Sequence, residues 1–191
     1  MLDIVLPQIN ASIKDFKTQN DIEGWDDDGL ALGLHLVNEQ KIDHRVALDQ
    51  SSCGQNGHGI RGWHFSSDGK ILWIYQSKLT DKKEYALKGC EDLLKASEWV
   101  SAVLLENKLD RNKIDHALLN LTGHISRNSE SITFIKFVFL TDVDSNFFKS
   151  SGEYEKVLKE ISKSELNEHM LRRKGACEVD VQLYNFKKVV T

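Results

Sequence analysis

Hydrophobic and polar positions change period several times along the chain, and the sharpest change lies between Gly59 and Lys78. Trp63 and Phe65 stand two residues apart, and Ile71 to Tyr75 form a strongly apolar run, so both stretches read as strands. Between them Ser66-Ser67-Asp68-Gly69-Lys70 carries an Asp-Gly pair, which supplies the φ > 0 positions of a tight reversal. The pattern predicts a β-hairpin. Its second strand closes in Gln76-Ser77-Lys78. Residues two apart on a strand share a face, so Gln76 and Lys78 leave an apolar strand on one side. A lysine at the mouth of a buried strand is costly unless it meets a carboxylate, a phosphate or a task.

Helical spacing surrounds this hairpin. Pro7 suits a first helical turn, and Ile9, Ile13 and Phe16 follow it. Asp21 to Asp28 reads as an acidic loop ending in a helix N-cap, since aspartates accept orphan N–H groups there. Leu30, Leu34 and Val37 then predict a helix over Leu30–Asn38. Val46 to Leu48 reads as a short strand closed by Asp49, and the glycine-rich stretch Gln50–Gly59 as a loop.

After the hairpin, Asp81 to Lys83 caps a long predicted helix, about Lys82 to Leu109. Ala86, Cys90, Leu93, Val100 and Leu104 lie along its apolar face. A second helix is predicted over Asn112–Ser126. Ile132 to Leu140 is a nearly continuous apolar strand, which suits coverage on both faces. Thr141–Gly152 reads as a loop carrying Asp142 and Asp144. A helix follows over Glu153–Lys174, broken near Ser162–Ser164 and stopped by Gly175, and then a last strand from Val179 to Phe186. Strands alternating with helices predict an α/β fold with a mixed sheet flanked by helices.

Composition narrows the classes. With 191 residues, 40% hydrophobic and 28% charged, the chain suits one globular domain with a substantial core. A formal net charge of −4 argues against a uniformly basic nucleic-acid binder and leaves room for a local basic cleft. Cys53, Cys90 and Cys177 are three and widely separated, which suggests reduced thiols and a cytoplasmic setting. No apolar run approaches the roughly 20 residues of a membrane span, and the first residues lack a signal-peptide pattern.

The stretch Gly59-Ile60-Arg61-Gly62-Trp63, followed by Gln76-Ser77-Lys78, resembles the core of the restriction-endonuclease-like PD-(D/E)xK superfamily. More narrowly, it is similar to the N-terminal domain of AIPR (abortive infection, phage resistance) proteins. The resemblance implies a nuclease-like domain with its core at about residues 28–140. There, a strand beginning G-I-D-G-aromatic carries a metal-binding aspartate, and the next strand ends in Q-S-K. It therefore implies Lys78 as catalytic lysine and Gln76 as a metal ligand or water-positioning group. It also implies Mg²⁺ or Mn²⁺ as cofactor, DNA or RNA as partner, and a role in antiphage defence. Relatives of this type are commonly longer, so a C-terminal domain or a protein partner is expected beside the chain. Nuclease cores that cut both strands often pair as homodimers.

The first motif departs at Arg61, where the aspartate is expected. A guanidinium stays protonated and repels a divalent ion. Three accounts stand open. The domain is a degenerate nuclease whose pocket binds a phosphate or carboxylate through Arg61 and Lys78. Alternatively the metal-binding carboxylate has moved, with Asp49 the best substitute and Asp28 or Glu39 on the first helix adding a ligand. The third account is a shifted register. A catalytically inactive fold acting as a nucleic-acid-binding or protein-interaction module is the alternative to a nuclease.

Other features read more plainly. Asp26-Asp27-Asp28 is a solvated helix cap, although such a run can also hold a cation. Cys53, His58 and His64 match no common zinc spacing. The glycines at 54, 57, 59 and 62 lack the GK[ST] of a P-loop. Asp142 and Asp144 mark a strand-to-helix turn. The remaining basic residues form no stripe, and interleaving of Trp or Tyr with them is not expected.

Overall fold

The turn closes the hairpin as its residues dictate. Ser66 N–H donates to the Ile71 carbonyl at 2.9 Å, and Gly69, at φ +71°, donates its N–H to the Ser66 carbonyl at 2.9 Å. Ser66 Oγ donates to Asp68 at 2.6 Å and accepts from Ile71 N–H at 2.9 Å. The computed structural model describes residues 25–53, 58–80, 82–106, 116–173 and 178–185, with Lys14, Asp15 and Thr18. The predicted helix after Pro7, the Asp81 cap and the Gly175 stop lie outside the described residues, as does the stretch 107–115.

Strand β1 (Gly62–Phe65) runs antiparallel to β2 (Ile71–Lys78), with Gly62 opposite Tyr75. Strand β3 (Phe134–Thr141) lies parallel to β2, and β4 (Glu178–Asn185) lies parallel to β3. The order β1-β2-β3-β4 makes a four-stranded mixed sheet.

Alternation along the central strands sends side chains to two cores. Leu72 and Ile74 of β2, with Ile135, Phe137 and Phe139 of β3, join one cluster. It includes residues of α3 (Lys83–Ser101), α4 (His116–Asn128), α6 (Glu153–Ser162) and α7 (Glu165–Arg172). Tyr75, Val138 and Leu140 join the other, with α1 (Asp27–Gln40) and α2 (His44–Gln50). Helices therefore cover both faces, which is why β3 is apolar nearly throughout. Beyond Ser101, α3 continues into a π-helical turn, Ala102–Glu106.

Two expectations are corrected. Val46 to Leu48 is not a strand but part of α2, whose start is capped by Asp43 accepting from Arg45 N–H at 2.8 Å. Only Ala47 of that helix is buried, so there is no apolar stripe for periodicity to register. The stretch 141–152 holds a short helix, α5 (Ser145–Ser151), capped by Asp144 and anchored by buried Phe148. The helix predicted from Glu153 breaks as expected: Ser164 caps α7, its Oγ accepting from Asn167 N–H at 3.3 Å. Among the described residues no helix is long and apolar enough to cross a membrane.

Candidate functional site

Glycines frame the entrance to β1. Gly59 has φ +76°, and a Cβ there would collide with the Asp92 carbonyl oxygen, so the loop before β1 lies directly on α3. A Cβ on Gly62 would meet the Gln50 carbonyl oxygen at 2.5 Å, so the strand start lies as closely on the end of α2. Held between them, Arg61 donates its N–H to the Tyr75 carbonyl at 2.7 Å and accepts from Cys53 N–H at 3.3 Å. Continuing the Gly62–Tyr75 register by one residue sets Arg61 opposite Gln76.

The N-terminus of α1 brings two carboxylates to these strand ends. Asp26 caps the helix, its Oδ1 accepting from Gly29 N–H at 2.9 Å, and pairs with the Arg61 guanidinium. Asp28 accepts from Lys78 Nζ at 2.8 Å with one oxygen and from Leu79 N–H at 2.6 Å with the other. Burial lowers the Arg61 pKa below its ordinary value, yet guanidinium stays charged. Its Nε is buried without a hydrogen-bond partner.

These groups line a cleft of about 740 Å³. Its floor is Gln76, Ser77 and Lys78, and its far wall is α3, through Tyr85, Lys88, Asp92 and Lys95. Four cations, Arg61, Lys78, Lys88 and Lys95, meet three carboxylates, Asp26, Asp28 and Asp92. The cleft is thus net positive in a chain whose formal net charge is −4. Asp92 pairs with Lys95 at 2.5 Å, and that hydrogen bond raises the lysine's pKa. Lys88 has no ion-pair partner among the described residues.

Lys78, Gln76, Arg61 and Asp28 are therefore brought together. Asp49 is not: it sits exposed on α2 and does not line the cleft, because the strand it was expected to end is helical. Glu39, near the other end of α1, has its charge near Tyr184 and is also outside the cleft. Asp142 joins strand ends instead, accepting from Thr80 N–H at 3.0 Å. Of the three residues weighed for zinc, His58 lines the cleft, Cys53 is buried, and His64 Nδ1 faces Gln50 Oε1 at 3.0 Å. Burial lowers the His64 pKa to about 4.

Sequence reasoning missed the α3 wall. Tyr85, Lys88, Asp92 and Lys95 recur at i, i+3, i+7 and i+10, a polar stripe opposite the apolar one. That spacing was the available signal.

The donor set does not fit Mg²⁺ or Mn²⁺, which take mostly oxygen ligands, about six of them. Both α1 carboxylates already accept from a cation and a backbone N–H, and Gln76 Oε1 accepts from Ser77 N–H at 2.9 Å. Among the described residues no group of three or more His, Cys, Asp or Glu is arranged to hold a metal ion. What the arrangement offers is fixed positive charge for an anion. No family model, no curated protein and no solved structure matches the chain.

Proposed function

We propose that the chain is a degenerate PD-(D/E)xK nuclease-like domain of antiphage-defence type. Its cleft holds nucleic-acid phosphodiesters without cutting them. The observation that carries this reading is Arg61, a guanidinium beside Lys78 at the position where the resembled motif has its metal-binding aspartate. The excess of cations over carboxylates in the cleft supports it, as does the mixed sheet, which sets Arg61 just before β1 and Gln76 on the adjacent strand β2.

The chemistry follows from the donors. Arg61 spends Nη2 on Asp26 and retains further N–H groups in a planar fork that matches phosphate oxygens. Lys78 presents three donors on a flexible stem and gives one to Asp28. A phosphodiester between them replaces water on both cations. Asp26 and Asp28 keep each cation aimed before the anion arrives, which lowers the ordering cost of binding.

The test is a binding and cleavage assay with labelled oligonucleotides in EDTA and in Mn²⁺, using the parent chain, Lys78→Ala and Arg61→Met. The parent is expected to bind in EDTA, to leave the oligonucleotide intact in Mn²⁺, and to lose affinity on either substitution. Cleavage by the parent that disappears with Lys78→Ala would restore the active-nuclease reading and overturn this one. Divalent metal is also expected to give no rise in melting temperature, since nothing binds it preferentially in the folded state.

A further inference from the structure

Among the described residues four large hydrophobic side chains are exposed: Val46, Tyr85, Leu158 and Leu171. Only Tyr85 lines the cleft. It is 48% exposed and belongs to neither core cluster. Lys82 Nζ lies 5.3 Å from the ring centroid, and Lys88 follows one helical turn later.

Resting on the phosphate-holding cleft proposed above, we infer that the cleft takes single-stranded nucleic acid, with one base stacked on Tyr85 and the backbone running along α3. The helix rises about 1.5 Å per residue, so Tyr85 and Lys88 are separated by about 4.5 Å along its axis, and Lys88 and Lys95 by about 10 Å. An aromatic face beside cations at such spacings is the arrangement by which strands are held independently of sequence. Arg61 and Lys78 line the same cleft. A paired base cannot reach the ring, because its faces are covered by its neighbours in the stack. The cleft volume, about 740 Å³, lies in the range of small-ligand sites, roughly 300–1,000 Å³.

The experiment measures fluorescence anisotropy of short labelled oligothymidylate, oligouridylate and a hairpin duplex, in EDTA, across a salt series. The full chain, Tyr85→Ala, Tyr85→Phe, Lys88→Ala and Arg61→Met are compared, with melting temperatures as the folding control. The single strands are expected to bind more tightly than the duplex. Tyr85→Ala should weaken single-strand binding roughly tenfold, and Tyr85→Phe should preserve it. Lys88→Ala should shallow the salt dependence of single-strand binding by about 0.7 in log–log slope. Duplex binding as tight as single-strand binding, unaffected by Tyr85→Ala yet weakened by Arg61→Met, would overturn this inference and leave the phosphate-holding cleft standing. Binding of none of the probes would overturn both.

Discussion

The two ion pairs at the head of α1 are inverted copies of each other. In the first, the cation is enclosed and the acid is open: the side chain of Arg61 is 11% exposed and that of Asp26 41%. In the second, the acid is enclosed and the cation is open: Asp28 is 15% exposed and Lys78 39%. One helix end thus holds one cation rigidly in the wall and another at the surface of the cleft. Under the proposed function the difference separates two roles: a fixed guanidinium would set where an anion sits, and an open amine would reach for it. It also predicts which partner of each pair is expensive to leave alone, because an isolated buried charge costs more than an isolated exposed one.

Among single substitutions the largest effect belongs to Asp26→Ala. It strands the buried Arg61 charge and removes the cap of α1, and a loss of about 3–5 kcal/mol in unfolding free energy is expected by denaturant titration. Arg61→Met, which leaves only the more exposed Asp26, should cost less than about 1 kcal/mol. Equal losses for the two would break the inversion.

Acid brings a second source of instability that must be kept apart from the pairs. Burial lowers the pKa of His35 and of His64 from 6.5 to about 4. Above pH 6.5 both imidazoles are neutral in folded and unfolded chains, and their contribution is fully present. As pH falls, the unfolded chain takes up protons that the folded one refuses until about 4. Stability should therefore drop over that window by an amount on the order of 3 kcal/mol per imidazole. A melting temperature that stays level from pH 6.5 to 4 would contradict the burial of these rings.

In the second pair the order reverses. Lys78→Met leaves the enclosed Asp28 with only the Leu79 N–H, at a cost of about 2 kcal/mol, measured by thermal or chemical unfolding. The smallest effect is Asp49→Asn, expected within about 0.5 kcal/mol and without change in oligonucleotide affinity, because Asp49 is exposed and off the cleft.

The hairpin was legible because its signals are local: Asp68-Gly69 fixes the turn, and the apolar run Ile71–Tyr75 fixes the strand. The helices α2 and α5 were not. Each has seven residues and one buried side chain, Ala47 or Phe148, too few to display a 3.6-residue period. At the site, Gln76 and Lys78 were legible as neighbours on one strand, and Arg61 as a cation just before the preceding one. Their partners were harder to read. Asp26 and Arg61 are 35 residues apart, and Asp28 and Lys78 are 50 apart, so only the folded arrangement of α1 over the strand ends joins them. The α3 wall was hidden differently: the apolar stripe of that helix predicts its core face and is silent on what the opposite side meets.

The most direct measurement of the central claim is oligonucleotide affinity in EDTA and in Mn²⁺, with the strand recovered afterwards and sized. The account predicts equal affinity in both, an intact strand, and weaker binding by Arg61→Met. Binding that requires Mn²⁺, or a strand cut by the parent chain, would contradict it.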